Sequence, residues 1–301
     1  MMSFAPTPGW LDWERNRTQP KTVLPKGSID AHCHVFGPGE VFPFAPTRKY
    51  TPCDASKADL FRLHQDLGIA RRVVVQATCH GTDNAALIDV LASDPASTRG
   101  VVSVSSDITE EELSGMHEQG VRGVRFNFVK RLVDHSPYDE LSLIAEKIKA
   151  FGWHIVIYFE AADLPELEGF LAGLPVPLVI DHMGRPDVSV SAADAEFSRF
   201  ISFVDRTSAW VKVSCPERLS QSGPFAVAGN TRIYEDVVPF ARRVISEFPD
   251  HVLWGTDWPH PNLETHMPDD AVLLNYLNEI TESDAQLRRL LVDNPNALYW
   301  A

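Results

Sequence analysis

The chain has 301 residues, of which 44% are hydrophobic and 23% charged, an ordinary composition for a folded globular protein. Its 41 acidic residues outnumber 27 basic ones, and the formal net charge of −14 disfavours nucleic acid and anionic membranes as partners. We see no signal-peptide pattern, no apolar run long enough for a membrane span and no CxxC spacing among the four cysteines. We therefore expect a cytoplasmic protein with reduced thiols.

A short apolar strand followed by an amphipathic helix recurs along the chain. The predicted strands are rich in Val and Ile and nearly continuous in hydrophobicity, which is typical of strands buried on both faces of a parallel sheet. These strands cover residues 29–36, 72–78, 100–105, 121–128, 154–160, 178–183, 210–215 and 252–258. The predicted helices cover residues 56–67, 83–91, 109–119, 139–151, 164–172, 193–204, 235–248, 269–280 and 284–291.

Eight strands that alternate with eight or more helices predict a (β/α)8 TIM barrel. The barrel would be a single domain over residues 27–301, preceded by an N-terminal extension of residues 1–26. An open, doubly wound α/β sheet is the alternative, and it is weakened because no glycine-rich phosphate loop follows the first strand. Long loops at 36–55 and 216–232 would lie on the C-terminal face, where barrel enzymes carry their active sites.

The first strand carries two histidines, His32 and His34. Side chains at positions i and i+2 of a strand point to the same side, so we expect both imidazoles to face one way. Ala31, Cys33 and Val35 would face the other way. Such a pair can bind a divalent metal, an anion or a polarised carbonyl, and the alternative is a pair of surface histidines on an edge strand.

Polar residues also cluster at the predicted C-terminal ends of the other strands. A packed core gives no reason for so many His, Arg and Asp residues at one end of its strands, so a shared site explains them better. Asp257 could act there as a general base towards water or hold a metal, and the alternative is a structural loop cap. His182 could belong to the site or be a satisfied core histidine. Glu160, His80 and Cys215 are weaker candidates.

Arginines on or near these strands point to an anionic substrate. Arg125 alternates with the apolar Val124 and Phe126, so its side chain points away from theirs, into the barrel. A buried arginine is costly unless it meets an anion, and its guanidinium group matches a carboxylate in bidentate fashion. Several converging arginines indicate more than one carboxylate, although surface ion pairs are the alternative for Arg131 and Arg185. The candidates are Arg125, Arg131, Arg185 and Arg218.

The other histidines are expected to be structural or exposed. His154 precedes the fifth strand, at the end away from the site. Five more fall on predicted helices or loops and look like surface residues: His64, His117, His135, His251 and His266.

Six segments resemble the amidohydrolase superfamily and, within it, the 2-pyrone-4,6-dicarboxylate lactonases. They are IDAHCHVFGP (29–38), VQATCHGTDN (75–84), RGVRFNFVKRLVD (122–134), WHIVIYFE (153–160), DHMGRPD (181–187) and WGTDWPHPN (254–262). The resemblance runs from about residue 27 to the end of the chain. The HxH motif alone is common to many barrel hydrolases, whereas its combination with RFNFVKRLVD and WGTDWPHPN is specific.

This resemblance implies hydrolysis of the cyclic ester of 2-pyrone-4,6-dicarboxylate to 4-oxalomesaconate. The reaction is a reversible lactone opening in the degradation of aromatic compounds. The resemblance implies that Asp257 is the general base for water and that His32, His34 and His182 polarise the lactone carbonyl. It also implies the substrate-binding residues Tyr50, Thr78, Arg125, Arg131, Tyr158, Arg218 and Asn262. We add Arg185 to this set because it follows the sixth strand.

Metal-dependent members of the superfamily generally add a strand-four Lys or a strand-five His to this set. Here strand five offers Tyr158 and strand four offers Arg125 and Asn127, and an arginine beside the site repels a cation. We therefore predict no metal and no other cofactor, although the histidines and Asp257 could still hold Zn²⁺ weakly. The predicted partner is a small dicarboxylate lactone.

Two alternative functions stay open. The first is a metal-dependent lactonase or decarboxylase that acts on a related anionic lactone, such as a sulfonated muconolactone. The second is a non-catalytic barrel that only binds dicarboxylates.

Overall fold

A computed structural model describes residues 4–134, 136–224 and 233–301. Eight strands form one parallel sheet, in the order in which they occur along the chain. They are β1 (Ile29–Cys33), β2 (Arg71–Val75), β3 (Thr98–Val102), β4 (Val121–Asn127), β5 (His154–Tyr158), β6 (Leu178–Ile180), β7 (Trp210–Lys212) and β8 (Val252–Leu253). All eight predicted strands are confirmed, and each ends earlier than the sequence suggested.

Backbone hydrogen bonds between the first strand and the segment after the last one close the sheet. The Ala31 amide donates to the Trp254 carbonyl at 3.0 Å, and the His34 amide donates to the Trp258 carbonyl at 2.7 Å. Gly255 permits this close approach, because a Cβ there would strike the His32 backbone. The (β/α)8 TIM barrel is therefore confirmed, and the open doubly wound alternative is wrong.

Helices follow the strands and cover the outside of the barrel. They are α1 (Lys57–Leu67), α2 (Ala85–Ser93), α3 (Glu110–Glu118), α4 (Tyr138–Lys149), α5 (Leu164–Ala172), α6 (Ala195–Thr207), α7 (Pro216–Leu219), α8 (Val238–Glu247), α9 (Asp270–Ile280), α10 (Asp284–Arg288) and α11 (Asn294–Tyr299). The predicted helices are confirmed within a few residues, except that the last one splits into α10 and a π-helical turn. The short α7 lies in the stretch predicted as a loop at 216–232, of which residues 225–232 fall outside the described residues.

Two apolar layers hold the barrel together. The larger layer lies between the sheet and the helices. The smaller layer fills the inside of the barrel with one or two aliphatic side chains from most strands, and Tyr299 of α11 packs against them. Burial of this apolar surface on both sides of the sheet is the main force that stabilises the fold.

The first strand departs from regular alternation. Its pairing with β2 is irregular between Asp30 and Cys33. Ala31 belongs to the inner layer and Cys33 to the outer one, so the prediction that these two share a face is wrong. A bulge of this kind re-aims side chains, and here the Nε2 atoms of His32 and His34 meet at 3.3 Å. The predicted convergence of the two imidazoles is confirmed.

Residues 4–13 run over the loops that follow the first and last strands, and residues 17–22 contact α1 and α9. The Trp13 ring packs against Trp258 with ring centroids 5.1 Å apart, and the Leu11 amide donates to the Leu263 carbonyl at 2.8 Å. The boundary between extension and barrel stays a prediction. None of the helices in the described part of the chain has the length and apolar character needed to cross a membrane.

Candidate active site

The C-terminal ends of the last three strands turn sharply. Seven non-glycine residues there have a positive φ between 49° and 71°: His182, Met183, Arg185, Cys215, Asp257, His260 and Asn262. Non-glycine residues avoid this region because of crowding at Cβ, and each such residue costs on the order of 1–3 kcal/mol. Strained backbone conformations of this kind are common at functional sites. These turns also explain why β6, β7 and β8 end earlier than predicted.

Asp257 lies at the centre of the cluster. Its Oδ1 is 3.2 Å from His34 Nε2, 3.3 Å from His32 Nε2 and 3.9 Å from His182 Nε2. Its Oδ2 accepts a hydrogen bond from Arg218 Nε at 2.8 Å. Burial alone would raise the pKa of Asp257, but the Arg218 charge and the imidazole contacts outweigh it and hold the pKa well below its usual value. Asp257 is therefore a carboxylate at neutral pH.

His34 has a defined tautomer. Its Nδ1 is 2.7 Å from the Val75 carbonyl, which can only accept, so Nδ1 carries the proton. Burial lowers the pKa of His34 to about 4, although its contact with Asp257 opposes that shift. Neutral His34 therefore offers a lone pair at Nε2. The neighbouring Asp257 Oδ1 is also a hydrogen-bond acceptor. Another group therefore has to donate a hydrogen bond to both His34 Nε2 and Asp257 Oδ1.

His182 forms the wall of the site. Its Nδ1 lies 2.9 Å from the Ser214 hydroxyl, and its Nε2 lies 3.5 Å from Cys215 Sγ. Burial lowers the pKa of His182 well below its usual value, although Asp257 opposes the shift. If the Ser214 hydroxyl donates to Nδ1, the neutral ring carries its proton on Nε2, towards the pocket.

One pocket brings most of the predicted site together, with an empty volume of about 370 Å³. Ten of the twelve predicted residues line it: His34, Tyr50, Thr78, Arg125, Arg131, Tyr158, His182, Arg218, Asp257 and Asn262. His32 is fully buried at its base and reaches it through Asp257 and His34. Arg185 lines the neighbouring depression and donates to the Tyr158 hydroxyl at 3.0 Å.

The arginines have anionic partners inside the protein. Arg125 points into the barrel as predicted, and its Nη2 donates to Asp181 Oδ2 at 3.0 Å. Arg131 is half-exposed, with its Nε 3.6 Å from Glu160. Arg125, Arg131, Arg218 and Asp257 are the charged residues that line the pocket, so three guanidinium groups and one carboxylate face its interior.

Lys212 and Asp181 lie beside His32, and the sequence analysis did not single them out as site residues. Lys212 Nζ is 2.8 Å from His32 Nδ1 and 3.0 Å from Asp181 Oδ1, and both side chains are fully buried. Lys212 alternates with Val211 and Val213, as Arg125 does with its apolar neighbours. This alternation is the sequence pattern that could have predicted an inward-pointing lysine.

Asp30 anchors the backbone beneath the site. Its carboxylate accepts hydrogen bonds from the His32 amide at 3.0 Å, from the Thr256 amide at 3.0 Å, from the Thr256 hydroxyl at 2.6 Å and from His64 Nε2 at 3.0 Å. The prediction that His64 is a surface residue is therefore wrong, because it lies on the inward face of α1 with Leu63. His135 falls outside the described residues.

The donor atoms around Asp257 lie close enough together to hold a metal ion. Ligands of a tetrahedral Zn²⁺ at 2.0–2.1 Å lie about 3.4 Å apart, which is close to the spacing of the His32, His34 and Asp257 atoms. The residues therefore fit a small cation in distance. Their hydrogen bonds favour another role, because Lys212 occupies His32 Nδ1 and Arg218 occupies the second Asp257 oxygen.

The barrel and this cluster at its mouth define an amidohydrolase-type enzyme. The amidohydrolase family matches residues 29–300, and the chain belongs to this family. It is 58% identical over 301 residues to the 2-pyrone-4,6-dicarboxylate hydrolase of Comamonas testosteroni, covering 100% of this chain and 99% of that protein. It is 34% identical over 283 residues to the 4-sulfomuconolactone hydrolase of Hydrogenophaga intermedia, covering 92% and 90%.

A solved structure shares the whole architecture. It is that of a Pseudomonas putida protein assigned as a 2-pyrone-4,6-dicarboxylic acid hydrolase, with a TM-score of 0.78 and 30% sequence identity. The similarity covers 92% of this chain and 98% of that one. The resemblance inferred from the sequence motifs is confirmed.

Proposed function

We propose that this protein hydrolyses the cyclic ester of 2-pyrone-4,6-dicarboxylate to 4-oxalomesaconate, a reversible lactone opening in the degradation of aromatic compounds. One observation carries the proposal: Asp257 and its imidazoles share a pocket with Arg125, Arg131 and Arg218. The 58% identity to the Comamonas testosteroni enzyme supports the same substrate. Four free thiols fit a role in the reducing cytoplasm.

The pocket suits a planar dianion. Three guanidinium groups line it, and a guanidinium group can bind a carboxylate in bidentate fashion. Three buried polar atoms of lining residues also lack a hydrogen-bond partner among the described residues: Arg125 Nε, Asn127 Nδ2 and Asn262 Oδ1. Buried polar groups are seldom left unpaired, so these atoms support a polar ligand that would satisfy them.

The reaction needs a base, a water and a polarised carbonyl. We propose that Asp257 takes a proton from water as the water oxygen attacks the lactone carbonyl. His182 would donate a hydrogen bond to the developing oxyanion through Nε2. One such donor typically contributes a factor of about 10²–10³ to the rate. His32 and His34 would lie behind His182 in the site. The ring C–O bond then breaks, and protonated Asp257 returns its proton to the leaving enolate oxygen.

Arg218 would couple substrate binding to the strength of the base. A carboxylate whose pKa lies far below 7 is a weak base, and Arg218 is the main favourable charge that keeps the pKa of Asp257 low. A substrate carboxylate that binds the same guanidinium shares its charge. The pKa of Asp257 then rises towards the working pH while substrate is bound.

The experiment is an absorbance assay of purified protein with the pyrone dicarboxylate and excess chelator. We expect loss of the pyrone chromophore at an undiminished rate. Activity that vanishes with chelator and returns with Zn²⁺ would favour the metal-dependent alternative, in which His32, His34, His182 and Asp257 would hold an ion that polarises the carbonyl. Binding that stabilises the protein without any turnover would favour the non-catalytic barrel.

Asp257→Asn tests the base. Asn tolerates the left-handed backbone at this position, so the fold should persist while turnover falls by about 10²–10⁴-fold. The exposed Asp250→Asn is the matched control and should keep full activity. Near-normal turnover of Asp257→Asn would remove the general-base assignment.

A sulfonated muconolactone is the second candidate substrate. The 34% identity to the Hydrogenophaga intermedia enzyme favours it, and a guanidinium group also accepts a sulfonate. We expect the pyrone to have the higher kcat/KM when the two substrates compete. The opposite ratio would make the sulfonated lactone the substrate.

A further inference from the structure

Lys212 is the buried cation that lies closest to the imidazole cluster without lining the pocket. Its side chain points into the barrel from β7, because its neighbours Val211 and Val213 pack in the outer layer. Nζ lies 2.8 Å from His32 Nδ1 with hydrogen-bond geometry. Burial lowers the pKa of Lys212, but the Asp181 carboxylate opposes this shift.

Asp181 offers His32 a competing partner. Its Oδ1 lies 3.1 Å from His32 Nδ1 and 3.0 Å from Lys212 Nζ, and Oδ1 makes no hydrogen bond of normal geometry in the described structure. Two arrangements are therefore available to the imidazole. Either Lys212 donates to Nδ1, or Nδ1 carries the proton and donates to Asp181.

The two arrangements give the site opposite chemistry. An ammonium group has donors only, so its hydrogen bond to Nδ1 leaves the single proton of neutral His32 on Nε2. That N–H lies 3.3 Å from both His34 Nε2 and Asp257 Oδ1, two acceptors that need a shared donor. In the other arrangement Nε2 is a lone pair, as in a metal-binding histidine whose second nitrogen donates to a carboxylate.

We propose that Lys212 is a positioning residue that keeps the His32 proton on Nε2. His32 then acts as the hydrogen-bond donor that holds His34 and Asp257 together. In this form the cluster is a metal-free base and not a cation site. The catalytic consequence rests on the proposed function, whereas the tautomer and the metal affinity do not.

Histidine tautomers can be read directly from long-range ¹H–¹⁵N correlation spectra of ¹⁵N-His-labelled protein, with His32→Gln to assign the signal. We expect wild-type His32 to carry its proton on Nε2, and Lys212→Met to move the proton to Nδ1. Lys212→Arg keeps a donor and should keep the wild-type tautomer. Tyr299→Phe, which also changes one polar atom inside the barrel, is the matched control and should change nothing.

Zinc titration of chelator-treated protein gives a second, independent readout. Lys212→Met should bind Zn²⁺ at least tenfold more tightly than wild type, because the His32 lone pair is freed. It should lose about 10- to 100-fold in metal-free kcat, as supporting residues of a site usually do.

A wild-type proton on Nδ1 would overturn the proposal, and so would a Lys212→Met variant with an unchanged tautomer or unchanged Zn²⁺ affinity. If Lys212→Met does not fold, the wild-type and Lys212→Arg spectra still decide. A wild type with the expected tautomer that fails to open the pyrone would remove the proposed function and leave this inference standing.

Discussion

Replacing Asp30 with alanine tests the scaffold under the active site. Its buried carboxylate accepts four hydrogen bonds, from the His32 amide, the Thr256 amide and hydroxyl, and His64 Nε2. These bonds join β1, α1 and the segment that carries Asp257. Loss of the carboxylate should therefore weaken both the fold and the alignment of the base.

The expected magnitude follows from the donors that lose their partner. Each buried donor left unsatisfied costs about 1–3 kcal/mol. The Thr256 hydroxyl can rotate, but the two amides cannot, and Arg72 Nε holds His64 Nδ1 as an acceptor at 3.0 Å, which keeps the His64 proton on Nε2. With three or four donors left without an acceptor, we expect the free energy of unfolding to fall by about 4 kcal/mol, which is roughly a thousandfold in the folding equilibrium.

Urea unfolding followed by circular dichroism measures this loss as a lower midpoint at an unchanged slope. Asp250→Ala is the matched control, because Asp250 pairs with Arg289 at 3.3 Å and both side chains are exposed. A surface pair of this kind should contribute at most about 1 kcal/mol. The reasoning is refuted if Asp30→Ala loses no more stability than Asp250→Ala.

The stability difference should also depend on pH. Burial would raise the pKa of Asp30, but the hydrogen bond and charge of His64 and the bonds from Thr256 and His32 outweigh it, so the folded pKa is lowered. A carboxyl with a depressed folded pKa stabilises the protein above its unfolded pKa of about 3.9 and loses this contribution as pH falls through the folded value. Wild type and Asp30→Ala should therefore differ fully at pH 6 and converge below about pH 4.

Two further substitutions test the arginines. Arg131→Met should raise KM for the pyrone about tenfold or more with little change in kcat, because a half-exposed guanidinium group contributes to binding throughout the reaction. An unchanged KM would contradict a role of Arg131 in substrate binding. Arg218→Gln should raise KM and also shift the acid limb of the kcat/KM profile to higher pH, because Asp257 loses the cation that depresses its pKa. A pH–rate profile that keeps its acid limb in place would show that Arg218 does not control the base.

Local sequence patterns were sufficient for the architecture and for most of the pocket. Hydrophobic runs show where each strand lies, and a parallel barrel brings the C-terminal ends of all its strands to one face. Residues that follow those ends, such as His182, Arg218 and Asp257, therefore had to lie close together. Alternation with apolar neighbours was also enough to aim Arg125 inward.

Other features depend on contacts between distant parts of the chain. The bulge in β1, which places Ala31 inside and Cys33 outside, arises from pairing with β2 and leaves no mark in the local pattern. His64 lies on a helix like many exposed histidines, and only its packing against Asp30 buries it.

The protonation of the site depends on tertiary structure alone. The motifs place two imidazoles side by side, but they do not say which nitrogen of each carries a proton. That choice depends on the Val75 carbonyl for His34 and on Lys212, 180 residues away, for His32. A histidine becomes a donor or a ligand according to the partner of its second nitrogen, and the fold supplies that partner.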